Sequence, residues 1–151
     1  MKIEDKIKAL GIDLPSAPEP IANYIPCLQS GNLVFVSGQG PIINGKQLYT
    51  GKVGAEVTRE EGYEAARACC INLLSQLKLF LGDLDKIKRV VHIKGYVASA
   101  DDFTNQPAVI NGASDLLVEI FGEAGRHTRC ALGLNVLPTD IPVEVEMIVE
   151  V

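Results

Sequence analysis

Tryptophan is missing from this 151-residue chain, and only four Phe and four Tyr are present. Flat side chains on which nucleobases stack are therefore scarce. Positive charge is also short: 14 Lys and Arg stand against 19 Asp and Glu, a net charge of -5. A nucleic-acid binder needs the opposite, a basic surface facing the phosphates. No run approaches the roughly 18 apolar residues that span a bilayer. The opening M-K-I-E-D-K-I-K-A-L mixes acids with bases and has no apolar signal core, so a cytoplasmic protein is expected. His92 and His127 are the two histidines, and they sit in no metal-ligand spacing. The four cysteines, Cys27, Cys69, Cys70 and Cys130, form no C-x-x-C pair. Cys69 and Cys70 are adjacent in a helical pattern and point apart, as buried thiols acting as small hydrophobes do. A structural zinc site is not expected.

What is present reads as one domain over residues 1–151, with residues 1–22 as an N-terminal extension. Ile3, Ile7 and Leu10 suggest a short first helix, and Pro15, Pro18, Pro20 and Pro26 enforce an extended segment after it. Gly31-Asn32 is a turn signal ahead of the apolar strand Leu33 to Ser37, and Asn44-Gly45 marks a second hairpin turn. Thr58-Arg59-Glu60-Glu61 is a capping box opening a helix that carries Ala66, Cys70, Leu73, Leu74, Leu77 and Leu81 and stops at Gly82. Ile87 to Ala98 alternates as a long strand. Val109, Ala113, Leu116, Leu117 and Ile120 then define a second helix, closed by Gly122 to Gly125. The order β-β-α-β-α-β-β predicts an α+β fold: a sheet with two helices packed on one face.

The C-terminal stretch, H-T-R-C-A-L-G-L-N-V-L-P-T-D-I-P-V-E-V-E-M-I-V-E-V from His127, reads as a β-hairpin turning at Leu137-Pro138-Thr139-Asp140. Val143, Val145, Met147, Val149 and Val151 share one face, opposite Glu144, Glu146, Ile148 and Glu150. In the first strand Leu132, Leu134 and Val136 share the apolar parity with Cys130, which predicts an inert thiol. Arg129, Ala131, Gly133 and Asn135 occupy the other face. Such a hairpin would set Glu144 opposite Asn135 and Arg129 opposite Glu150. Arg129 and Glu144 would then lie about 20 Å apart along the sheet.

These features resemble the Rid family of reactive intermediate deaminases, also called YjgF-like proteins. The resemblance runs from about Tyr24 to Val149. It is carried by Gly31-Asn32-Leu33 leading into Ser37-Gly38-Gln39, the helix near Glu61 to Leu81, Ile87 to Ala98 with Asp102-Phe103, and above all the C-terminus. There Arg129 is followed eight residues later by Leu137-Pro138 and then by Val143-Glu144-Val145-Glu146. The family usually has Pro-Ala before the arginine where this chain has His127-Thr128. Cys130-Ala131 follows here, where the best-studied imine deaminases have Ser-Cys.

The resemblance implies a chorismate-mutase-like fold assembled as a homotrimer, with sheet faces around the three-fold axis and ligand clefts between subunits. It also implies cofactor-free hydrolysis of 2-imino or enamine acids to 2-oxo acids and ammonia. By the same match, Arg129 grips a substrate carboxylate and Glu144 orients or deprotonates water. Tyr24, Ser37 and Asn111 line the cleft, and backbone near Cys130 and Ala131 contacts the imine nitrogen. No nucleic acid or membrane partner is implied.

The residues alone leave other readings open. Arg129 could pair with Glu150, Tyr24 could be a packing aromatic, Ser37 a turn hydroxyl, Asn111 a helix-interior residue and His127 a loop histidine. The glutamate row could be a solvated face. A trimer that only binds small carboxylates, or a hydrolase of another C–N bond, are the alternatives to an imine deaminase.

Overall fold

A computed structural model describes residues 2–151. After the short helix α1 (Ile3–Ala9), the proline-bearing segment runs extended across the surface. It is fastened where the Gln76 amide donates to the Pro18 carbonyl at 2.7 Å. Strands β1 (Cys27–Ser30) and β2 (Leu33–Gln39) form an antiparallel pair about the Gly31-Asn32 turn. The small ribbon β3 (Ile42–Ile43) and β4 (Lys46–Gln47) turns on Asn44 and Gly45. Both turn residues have positive φ, 51° and 79°, as the tight two-residue hairpin turn requires.

Helix α2 (Arg59–Leu81) begins as its sequence predicts. The Thr58 hydroxyl accepts from the Glu61 N–H at 3.1 Å, and the Glu61 carboxylate accepts from the Thr58 N–H at 2.9 Å. Strand β5 (Arg89–Ala98), helix α3 (Gln106–Phe121), strand β6 (Thr128–Leu134) and strand β7 (Val143–Glu150) complete the chain. Both helices cover one face of the sheet. Leu73, Leu74 and Leu77 of α2, Leu116, Leu117 and Ile120 of α3, and the inward residues Ile93, Val97, Val143 and Val145 are fully buried between the layers. Each such side chain contributes roughly 1.5–3 kcal/mol on leaving water. The helices meet closely because Gly112 has no side chain: a Cβ there would lie 2.0 Å from the Tyr63 carbonyl.

The strand order is β1-β2-β7-β5-β6, and it corrects the C-terminal hairpin. Strands β6 and β7 are not partners. Strand β7 is inserted between β2 and β5, antiparallel to both, while β6 lies on the far side of β5 and runs parallel to it. Glu150 therefore faces Leu33 and Arg89, not Arg129, and Glu144 faces Tyr96, not Asn135. The face assignment of β6 is also reversed. Ala131 packs against the helix-side core, whereas Cys130 and Leu132 are exposed on the open face of the sheet. The open face is partly apolar: Leu28, Phe35 and Leu132 are 56, 42 and 48% exposed. Among the described residues, no helix is long and apolar enough to cross a membrane.

Candidate functional site

The chain presents two chemical centres, one on an edge strand and one on the open face of the sheet. The first is Arg129, on β6, whose outer edge has no partner strand among the described residues. Its side chain lies on the helix side against α3. One terminal nitrogen, Nη1, donates to Asn111 Oδ1 at 2.9 Å and to Ser114 Oγ at 3.1 Å, while Nη2 donates to the Pro107 carbonyl at 3.3 Å. All three acceptors are neutral. No carboxylate lies within ion-pair distance of Arg129 among the described residues. A guanidinium has five N–H donors in a planar fork, so two remain for an outside acceptor. Asn111 is thus an exposed polar anchor for the arginine, not a helix-packing residue.

Ser114 is the residue that sequence reasoning missed here. It sits three positions after Asn111, on the same helix face, and that spacing was the available signal. His127 is no free loop histidine either. Its Nδ1 lies 2.6 Å from the Gly125 carbonyl and its Nε2 lies 2.9 Å from Ser114 Oγ. Burial first, and then the nearby charge of Arg129, hold its pKa below the usual imidazole value.

The second centre is Glu144, on the open face of β7. Its carboxyl pKa is raised, chiefly by burial and secondarily by the charge of Glu146. The carboxylate lies over Gly38, where a Cβ would fall 2.7 Å from Glu144 Oε2. The register of β2 against β7 shifts between Val36 and Gln39, and Gly38 lies within that irregular stretch. The Ser37-Gly38-Gln39 motif is thereby explained by space as well as by turn chemistry. Beside it the Tyr96 hydroxyl donates to Glu146 at 2.5 Å, which pushes the tyrosine pKa up to about 12. From sequence Glu146 reads only as part of the C-terminal signature and the glutamate row, and Tyr96 carries no role, although Tyr96 is the cross-strand neighbour of Glu144.

Tyr24 lines a small cavity with Gly38, Thr139, Ile141 and Glu144. It also borders a larger open cavity of about 510 Å³ with Phe35, Ser37, Lys94, Glu146 and Ile148. Ser37 donates its hydroxyl to the Ile25 carbonyl at 2.9 Å, and its N–H to the Pro26 carbonyl at 2.8 Å. It fastens the segment that carries Tyr24. Cys130 is exposed on the open face, which corrects the expectation of a core-facing thiol, while Ala131 turns toward the helices. The other three cysteines are buried, and burial raises their pKa values.

The two centres do not meet within one chain. Arg129 is level with Ile93, which is level with Met147, three residues beyond Glu144. Two strand spacings and three residues along the strand separate their Cα atoms by about 14 Å. Their side chains also leave opposite faces of the sheet.

This α+β chain, with α2 and α3 on one side of a mixed sheet, matches the model of a known family across residues 4–151. The family is described as "YjgF/chorismate mutase-like, putative endoribonuclease". The chain belongs to this family. It is 45% identical over 150 residues to Protein TCP17 of Trypanosoma cruzi, covering 99% of this chain and 94% of that one. The 2-iminobutanoate/2-iminopropanoate deaminase of Dermatophagoides farinae is 29% identical over 140 residues, covering 91 and 93%. The crystal structure of Atu1372 from Agrobacterium tumefaciens, a protein of unknown function, superposes with a TM-score of 0.93 at 47% identity, covering 99 and 92%.

Proposed function

We propose that this protein is a cofactor-independent hydrolase of small 2-imino or enamine acids, working as a homotrimer with its sites between subunits. The observation that carries this reading is the state of Arg129. A guanidinium held only by neutral acceptors, with donors to spare at an open sheet edge, suits an anionic group such as a planar carboxylate. The separation of Arg129 from Glu144 supports a site completed by a neighbouring subunit, whose Glu144 would supply the second centre. The exposed Leu28, Phe35 and Leu132 support burial of the open face in such an assembly. The deaminase of Dermatophagoides farinae supports the substrate class.

In this reading Arg129 fixes the substrate carboxylate and so sets the position of C2. Glu144 accepts a proton from water as its oxygen attacks C2 of the iminium, giving a tetrahedral adduct. The proton is returned to nitrogen, the C–N bond breaks, and the products are the 2-oxo acid and ammonium. No net redox change occurs. Positioning supplies most of what an already electrophilic iminium needs. The net charge of -5 favours this reading over action on RNA.

The test is release of ammonia and 2-oxo acid from freshly generated 2-iminobutanoate and 2-iminopropanoate, alongside sedimentation of the same sample. Arg129→Ala is expected to keep its assembly and to lose at least about 100-fold in rate, as loss of a charge-assisted anchor predicts. No acceleration over the spontaneous reaction by the assembled wild type overturns the reading. Carboxylate binding without turnover would instead mark a binder of 2-oxo acids.

A further inference from the structure

The hydrogen bonds behind Arg129 have a direction that can be worked out from donor and acceptor chemistry. The Gly125 carbonyl can only accept, so the His127 Nδ1, 2.6 Å away, carries a proton. In the neutral imidazole Nε2 is then an acceptor, and the Ser114 hydroxyl, 2.9 Å away, must donate to it. The hydroxyl oxygen is left to accept from Arg129 Nη1 at 3.1 Å. Each group has one compatible role, and the chain of bonds ends on the guanidinium.

We propose that Ser114 and His127 are positioning residues, a relay that fixes the Arg129 fork for its carboxylate and holds only while the imidazole is neutral. A protonated His127 would turn Nε2 into a donor. Ser114 Oγ would then receive hydrogens from two cations at once, and its own hydrogen would lose its acceptor. The surroundings resist that state. Arg129 on β6 and His92 on β5 are close enough to disfavour the imidazolium. Arg89, Arg126 and Glu150 line the same surface depression as His127. Glu123, the remaining acid of the adjoining turn, is paired with Arg126 at 3.9 Å. On α3, Asp115 is engaged by the Tyr63 hydroxyl at 2.8 Å. Cations thus dominate around the ring.

The relay rests on the reading of Arg129 as a carboxylate anchor, and the test separates the two. Calorimetry with 2-oxobutanoate at neutral pH is run on wild type, Ser114→Ala, His127→Phe and His127→Gln, each checked for wild-type assembly and melting. Ser114→Ala and His127→Phe are expected to weaken binding about tenfold, the scale of one hydrogen bond to a charged group. His127→Gln keeps an oxygen able to accept from Ser114 and should stay within about threefold. In wild type, affinity should fall as pH drops through the imidazole transition. In His127→Phe that inflection should vanish. Nitrogen NMR of the labelled intact protein should show the Nδ1–H tautomer.

Wild-type affinity in the well-folded Ser114→Ala and His127→Phe variants overturns the relay alone, as does an Nε2–H tautomer. Absence of any carboxylate binding by wild type overturns the relay and the arginine reading together. Should Ser114→Ala fail to fold, the His127 pair decides, because His127 lies outside the packed core.

Discussion

Replacing Gly38 by alanine probes Glu144 without touching it. The glycine lies outside the left-handed region, so its backbone accepts an L side chain without strain. The added Cβ, however, would stand 2.7 Å from Glu144 Oε2 and 3.0 Å from Cδ. Ordinary contact begins near 3.4 Å, so the carboxylate must retreat by about 0.7 Å. The obstructing atoms belong to the end of a flexible side chain, and it can swing away at little cost. Gly→Ala at a compatible site also restricts the unfolded chain, worth about 0.4–1 kcal/mol in favour of folding. The two effects nearly cancel, so a net change within about 1 kcal/mol, or roughly 2–4 °C in Tm, is expected. A misplacement approaching 1 Å at a catalytic group costs on the order of 100-fold. Hydrolysis of 2-iminobutanoate should therefore drop about 30- to 100-fold while melting hardly changes. The control is the double variant with Glu144→Gln, in which Gly38→Ala should cost almost nothing further. Activity of Gly38→Ala within threefold of wild type, or an undiminished loss in the double variant, would refute the geometry or the role of Glu144.

Three further outcomes can be checked with standard measurements. The raised pKa of Glu144 means that the folded state favours its protonated form. That preference stabilises fully below the unfolded carboxyl value and is lost as pH rises through the folded one. Glu144→Gln should thus raise Tm more at pH 7 than at pH 4, and wild-type turnover should fall on acidification starting above the usual carboxylate range. Leu132→Glu, on the open sheet face, should yield folded but dissociated subunits by sedimentation, with turnover lost. Gly112→Ala, which would press a Cβ to 2.0 Å from the Tyr63 carbonyl, should cost about 3 kcal/mol or more, seen as a large drop in denaturant midpoint.

Local signals in the chain were translated faithfully into structure, whereas partner choice was not. Thr58 and Glu61 form both bonds of the capping box, and Asn44-Gly45 turns the small ribbon. Such features depend on residues a few positions apart. The supposed C-terminal hairpin depended on which strand lies beside which, and alternation carries no information about that. Consecutive strands are neighbours in only about two-thirds of cases, and here β5 intervenes. The inverted faces of β6 have a local cause. Gly133 leaves space beside the Gln106 amide and the Ser99 hydroxyl, so the small residues face the helices and the larger Leu132 faces outward. Arg129 and Asn111 were legible as candidates. Ser114 became visible, and His127 gained its partners, only once α3 was laid against β6, because their meaning lies in mutual distance.

The central place of β7 also has a consequence for how the molecule comes into being. This strand consists of residues 143–150, yet both of its edges are hydrogen-bonded, to β2 on one side and β5 on the other. During synthesis the β1–β2 ribbon and the β5–α3–β6 unit can each begin to form, but nothing joins them into one sheet until residues 143–150 have emerged. A nascent chain thus carries the unpaired edges of β2 and β5 until β7 has emerged, and sheet closure is a long-range event. Loss of Val143–Glu150 would remove the seam between two halves of the sheet, and a chain stalled before this strand emerges would be especially dependent on chaperones.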